Sequence, residues 1–276
     1  MNACVGSKLL DYAPYFTKLI SDACVRCLPK DATEFSTNYV RVCKIKGGNP
    51  LNSFVMNGLI VLRNSEGSIK SCDKPKIAVY GCPLDTQQSD EKLHVVLKNA
   101  KELKEYTKGE EDHCEEVVKS IVDAGINTVI CGGNITEIMK HYLEKYKVMI
   151  IRIMSKWELR RLARSLNARI ITRLGPPSPE ECGDCEKIVV EEVGSQKIIK
   201  LTTNLEDTNY ATIVLRGNTK NTLDDIERAI DDAVNVFRCM AEDGRFCPGA
   251  GATEIKLASG LETEGNLIKG LDRYAY

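Results

Sequence analysis

The spacing of apolar positions changes several times along the chain. Residues 9 to 28, LLDYAPYFTKLISDACVRCL, carry them at helical spacing, and NYVRVCKIKGG then alternates as a strand that stops at the double glycine Gly47–Gly48. FVMNGLIVL reads as a second β-rich run and KPKIAVYGC as a third. HCEEVVKSIVDAG predicts a helix with Val117, Val118, Ile121 and Val122 inward and a glycine at its end. INTVICGG predicts a short buried strand, and NITEIMKHYLEKY a helix with Asn134 as N-cap. VMIIRI reads as a strand, SKWELRRLARSLN as a helix opened by Ser155 with Glu158 at the capping-box spacing, and ARIITR as another strand. This alternation of short apolar strands with helices predicts an α/β layer with parallel pairing. After GPPSP, the segments KIVVEEV, QKIIKLTT and YATIVLRG read as a β-meander, and residues 221 to 276 as helical. The two helical ends can belong together, with the middle inserted and with hinges at Gly47–Gly48 and at the RGN of 216 to 218.

One stretch breaks the pattern. PLDTQQSDEKLHVVLKNAKELKEYTKGEEDH is rich in lysine and glutamate with a thin apolar thread: Leu93, Val95, Val96, Leu97, Leu103 and Tyr106. It reads either as a solvated loop with a marginal helix or as a protruding lid or partner-binding arm.

Composition narrows the class. The 276 residues are 43% hydrophobic and 28% charged with a net charge of -1, as in ordinary globular proteins, and no global field points to nucleic acid or an anionic membrane. No apolar run approaches the roughly 18 residues that a bilayer span needs. The opening MNACVGSKLLDYAPYF lacks the basic and apolar regions of a secretory signal. Two of the 12 cysteines' spacings are CxxC, Cys24–Cys27 and Cys182–Cys185. Zinc or redox chemistry is one reading. The other is free thiols in a reducing compartment, because Cys24 and Cys27 share a helix face and CGDC has no histidine nearby.

The richest chemistry lies in DDIERAIDDAVNVF, residues 224 to 237. Thr222 is placed to cap this helix with Asp225 returning the bond, and Ile226, Ala229, Ile230, Ala233, Val234, Phe237 and Met240 form one stripe. The helix dipole accounts for Asp224, Asp225 and Glu227 in the opening turns but not for Asp231 and Asp232, deeper in the helix. A solvated face is the plain alternative. Beyond a stop at Gly244, Gly249–Ala250–Gly251 opens a further helix, whose N-terminal amides suit an anion. A small-residue turn beside an unexplained aspartate is an arrangement suited to phosphate chemistry.

The segment LRGNTKNTLDDIERAIDDAVNVFRCMAEDGRFCPGAGATEIKLA resembles the group II chaperonins of the TCP-1 ring complex family. VRVCKIKGG, KIAVYGCPLD, KHYLEKYKVMIIRIMSKWELRRLARSLNA and ARIITRLGPPSPEECGDCEKIVVEEVG extend the likeness over essentially the whole chain. The resemblance implies an α/β apical domain, with layers, a β-meander and a helical protrusion, inserted in a mostly helical intermediate domain. Residues 1–50 and 212–260 would be intermediate, 51–211 apical with the protrusion at about 85–112, and 261–276 the start of a return to the equatorial domain. It implies Asp232 as the aspartate that activates the attacking water. It implies Gly249, Ala250 and Gly251 as the turn that approaches the nucleotide. The family has three glycines there, and Ala250 fits only if its φ is negative.

Further expectations follow from the same likeness. The cofactor of the full-length family is ATP with Mg2+, but the Gly-Asp-Gly-Thr-Thr phosphate loop is not in this chain, so the chain alone is expected neither to bind ATP tightly nor to hydrolyse it. LDRYAY stops inside what the family continues as a helix, which makes a partial product the expectation. Lys156, Arg160, Arg161 and Arg164 are candidates for binding unfolded clients such as actin and tubulin. The expected partners are other subunits of a hetero-oligomeric double ring in the cytoplasm. No aromatic interleaving or RNA motif accompanies the arginines, so neither nucleic acid nor membrane is expected as a partner. A passive holdase or scaffold without ATPase activity is the alternative function.

Overall fold

The computed structural model describes residues 1–85, 99–194, 196–203 and 210–275. Its first elements are α1 (Asn2–Gly6), α2 (Ala13–Arg26), β1 (Val40–Lys46), β2 (Phe54–Asn57), β3 (Leu59–Val61), β4 (Ser71–Asp73) and β5 (Lys76–Tyr80). Then follow α3 (Ala100–Asp123), β6 (Thr128–Cys131), α4 (Glu137–Lys145), β7 (Met149–Arg152), α5 (Lys156–Ser165) and β8 (Ile170–Ile171). The chain continues through β9 (Gly183–Asp184), β10 (Lys187–Val193), β11 (Gln196–Thr202), β12 (Ala211–Gly217), α6 (Lys220–Glu242) and α7 (Ala252–Gly265). Contacts divide it into two compact units, Met1–Arg238 and Cys239–Tyr276.

The first unit holds three sheets, ordered β1-β12-β2, β3-β11-β10-β4 and β7-β6-β5-β8, with β9 added to β5. The last of these has the expected parallel pairing, β5 with β6 and β8, and β6 with β7. Along β5 the side chains alternate between two cores, as strand geometry requires. Ile77 and Val79 meet Leu159 and Leu162 of α5 and Ile188 and Ile199 of the second sheet. Ala78 and Tyr80 meet Val118 and Ile121 of α3 and Met139 and Leu143 of α4.

Several local expectations are corrected. The helical pattern over residues 9 to 28 narrows to α2, Ala13–Arg26, because Pro14 sits in its first turn, where the missing N–H is tolerated, and residues 9 to 12 precede it outside the helix. FVMNGLIVL is two strands in two sheets. The chain turns at Gly58, where φ is 96° and an added Cβ would lie 2.0 Å from the Leu201 carbonyl oxygen. The three-stranded meander is a hairpin of β10 and β11 only; β12 leaves it to lie between β1, in parallel, and β2, antiparallel. Thr136, not Asn134, is the N-cap of α4, and the Asn134 carbonyl instead accepts the Leu84 N–H. The α6 cap lies three residues earlier than Thr222: Thr219 Oγ1 accepts the Thr222 N–H.

Of the polar arm, residues 86–98 fall outside the described residues, whereas 100–112 belong to α3, which is longer than its apolar pattern indicated. Glu115 ties α3 to α4 by accepting from the Tyr146 hydroxyl at 2.6 Å and from Lys145 Nζ at 3.0 Å. These bonds, Tyr146 first, pull its carboxyl down to about 2. Among the described residues, no helix is long and apolar enough to cross a membrane.

Two outcomes follow. Gly58→Ala should lower stability by more than about 2 kcal/mol, read as the urea midpoint, because both φ and the carbonyl contact oppose a side chain. For Glu115 the folded carboxyl lies below its unfolded value, so its stabilisation is present above about 4.5 and is lost as pH falls toward about 2. Glu115→Gln should remove that part of the acid sensitivity, measured by amide exchange across α3 and α4 between pH 5 and pH 2.

Candidate functional site

The sequence of α6 sets its two faces. Leu223, Ile226, Ala229, Ile230, Ala233 and Val234 are buried, and Phe237 packs edge-on against Phe35 at 5.0 Å. Met240 lies largely exposed, so the stripe ends before it. The opposite face presents the carboxylates, and residues from the first 50 positions meet them. Lys44 Nζ donates to Asp224 Oδ1 at 2.8 Å and to Glu227 Oε2 at 2.6 Å, holding the Asp224 carboxyl below its usual range. Asp225 lies 3.6 Å from Arg228 on the same helix. Asp232 forms an ion pair with Lys8, both about half exposed. Asp231 differs: withdrawal from water, and then the Glu227 charge, raise its carboxyl, with Arg41 opposing.

The turn before α7 departs from its expectation. Ala250 has φ 58°, in the left-handed region, and is followed by Gly251 at φ 80° as the N-cap. Alanine therefore occupies the conformation that glycine adopts freely. Nothing lies within 4 Å of a Cβ placed at Gly249 or Gly251, so the turn's backbone is unobstructed. Asp232 belongs to the first compact unit and the turn to the second. An open turn at a helix N-terminus presents backbone N–H groups of the kind that suit an anion. Unit two also exposes Phe246, Ile255, Leu257, Leu261, Leu267 and Leu271.

On α5, Ser155 Oγ accepts the Glu158 N–H, as the capping spacing predicts, and Leu159, Leu162 and Ala163 are buried. Lys156, Arg160 and Arg164 lie on the exposed face. Arg161 does not join them: it is half-buried and lines a cleft with Arg41, Glu158 and Leu162. The outer face holds a residue the candidate list omits, Trp157, which is 71% exposed with the Arg160 guanidinium 5.4 Å from its ring centre. Its signal was available, since it is the only tryptophan and falls on the polar side of an amphipathic helix. Lys8 gave no such signal.

None of the 12 cysteines is joined in a disulfide. Cys24 and Cys27 are buried, and burial pushes both thiols up to about 12. Among the described residues, no group of three or more His, Cys, Asp or Glu side chains gathers to hold a metal.

Among the described residues three sheets, two of them linked by the crossover at Gly58, combine with helices from both ends of the chain. The fold matches the open-state monomer of a group II chaperonin from Methanococcoides burtonii, with TM-score 0.71 and 22% identity over 96% of this chain and 60% of that one. Residues 1–276 match the model of the TCP-1/cpn60 chaperonin family, and the chain belongs to that family. Among its relatives it is 40% identical to the T-complex protein 1 subunit theta of Dictyostelium discoideum over 275 residues, covering 100% of this chain and 51% of that one. It is 42% identical to the subunit theta of Gallus gallus, covering 100% of this chain and 50% of that one. It is 41% identical to that of Homo sapiens, covering 98% and 49%. The chain thus spans about half the length of the curated relatives it matches.

Ala250→Gly should relieve about 1 kcal/mol of left-handed strain and slow amide exchange in the first turn of α7 about fivefold, measured by hydrogen–deuterium exchange.

Proposed function

We propose that the chain is the client-binding and hinge portion of a theta-type chaperonin subunit. Residues 51–211 serve as the apical domain, with a protrusion at about 85–112. Residues 1–50 and 212–260 serve as the intermediate domain, and 261–276 as the return toward the equatorial domain. The subunit takes its place beside other chaperonin subunits in a hetero-oligomeric double ring in the cytosol. It binds unfolded proteins such as actin and tubulin and couples ATP hydrolysis to lid closure.

The observation that carries this reading is the outer face of α5. Lys156, Arg160 and Arg164 are exposed on the same helix as Trp157, whose ring Arg160 covers, and Met154 just before the helix is half exposed. Such a face offers an unfolded chain both charge-assisted and aromatic contacts, and Trp and Arg are the side chains that dominate binding surfaces. Family membership over the whole chain supports the same conclusion.

ATP with Mg2+ is the proposed cofactor of the full-length subunit, and its hydrolysis supplies the free energy for closure. Asp232 would orient the attacking water through its carboxylate, with Lys8 holding that carboxylate in place until the phosphates approach. The turn at Gly249, Ala250 and Gly251 would bring backbone N–H groups toward the phosphates. The apolar residues left exposed on α7 and after it suit packing against the other half of a full-length subunit.

Crosslinking to unfolded actin or tubulin tests the client surface. Replacing Trp157 by Ala together with Arg160 and Arg164 by Glu should reduce the crosslink yield at least about tenfold, the loss of one or two binding hot spots. An unchanged yield would remove the assignment. Co-elution with a megadalton ring favours the ring-subunit reading, and a monomer that still captures client favours a passive holdase.

A further inference from the structure

Arg41 occupies an unusual position. It projects from β1 and lines two clefts. One is shared with Glu158, Arg161 and Leu162 of α5 and with β3. The other is shared with Ile230, Asp231 and Asn235 of α6 and with Asn38. The guanidinium is half-buried, and among the described residues it has no ion-pair partner within 4.0 Å. Glu158 and Asp231 likewise have no ion-pair partner within that distance. A half-buried cation thus stands between two uncommitted carboxylates on two different helices.

We propose that Arg41 is an electrostatic relay between α5 and α6, a positioning residue that engages either Glu158 or Asp231 and so links the placement of one helix to that of the other.

The physical argument has three parts. A guanidinium drawn partly out of water loses solvation that a carboxylate contact restores, so each helix gains by approaching Arg41. One planar guanidinium cannot close fully on two carboxylates that line different clefts, so the two gains compete. Arg161 supplies the balance: a second guanidinium in the α5 cleft opposes Arg41 settling on Glu158. Withdrawal from water, then Arg161, lower the Arg41 value, while Asp231, Glu158 and Glu227 raise it. Glu227 is itself engaged by Lys44, which leaves Asp231 as the α6 partner able to change. Because binding free energies are reciprocal, whatever moves α5 biases α6, and the converse holds equally. Asp232, next to Asp231, moves with α6.

The functional consequence rests on the reading of α5 as client surface and of Asp232 as the water-orienting aspartate; the linkage itself does not. Through Arg41, a client on α5 would bias the helix that carries Asp232, over a route that needs no nucleotide.

Hydrogen exchange on the full 276-residue chain tests the relay. Asp231→Asn should release Arg41 to Glu158 and slow exchange in the first turns of α5 about threefold, the range of a partly exposed ion pair. Glu158→Gln should release it to Asp231 and slow exchange around residues 228–235 by a similar factor. Both effects should vanish in an Arg41→Gln background. Persistence of either effect at full size without Arg41, or no effect of either carboxylate variant with Arg41 present, overturns the proposal. Should Arg41→Gln not fold, reciprocity decides: one carboxylate variant acting on the far helix without the other also overturns it. Client crosslinking on the same variants separates the two readings. Normal capture with no linkage removes the relay alone, and linkage without capture removes the client surface alone.

Discussion

The contact between Gly58 and the Leu201 carbonyl is the constraint on which the first unit depends. One continuous apolar run, FVMNGLIVL, must supply an edge strand to β1-β12-β2 and another to β3-β11-β10-β4. The chain can do this within one residue only if the backbone turns through positive φ and passes another strand at a distance no Cβ permits. Gly58 meets both demands. From that crossing follow the placement of β3 beside α5 and the apolar core that α5 shares with β5 and β11. The cleft where Arg41 meets Glu158 and Arg161 is lined in part by Leu59, Ile60 and Val61, so it is built directly on the crossing.

The second organising feature is electrostatic. Cations of the first 50 residues face the carboxylates of a helix that begins at residue 220: Lys44 on Asp224 and Glu227, Lys8 on Asp232, and Arg41 near Asp231. The pairs at Lys44 and Lys8 are partly exposed and screened by solvent, so each adds little to stability. Their value is directional. β1 lies parallel to β12 with Val40 opposite Ala211, and this register fixes which cation faces which turn of the helix that follows β12. A slip of one residue would turn Arg41 toward the face now held by Lys44.

Much of the fold was legible because burial follows period. The parallel layer, the Ser155 cap and the inward faces of α5 and α6 rest on local patterns that the structure retains. The misreadings have physical causes that are partly visible in the residues. Ala211 to Leu215 is buried at every position on both faces, with Thr212 its single polar residue, the mark of a central strand rather than of a meander's edge. Pro14 and Gly58 each mark a break inside a run that otherwise reads as one element. Of the site, the exposed face of α5 was legible, and Trp157 on it ought to have been read. The cations opposite α6 were not, since Lys8 lies 224 residues from Asp232 in sequence and no local pattern encodes a contact of that range.

The carboxylates of α6 can now be told apart. Lys44 gives Asp224 and Glu227 a structural reason, and Arg228 beside Asp225 gives a local one. A merely solvated face would treat Asp231 and Asp232 alike, as adjacent exposed residues. They are not alike: Asp232 pairs with Lys8, whereas Asp231, equally exposed, lines a cleft with Arg41, and partial withdrawal from water raises its carboxyl. A helix at 100° per residue can present neighbouring positions to two environments. Here one neighbour is turned to Lys8 and the other to the cleft that Arg41 lines. Aspartate, short and poor at helix propagation, is disfavoured at mid-helix unless its charge must sit close to the backbone. Two in succession at that depth each face a cation of the first 50 residues, Lys8 for Asp232 and Arg41 for Asp231.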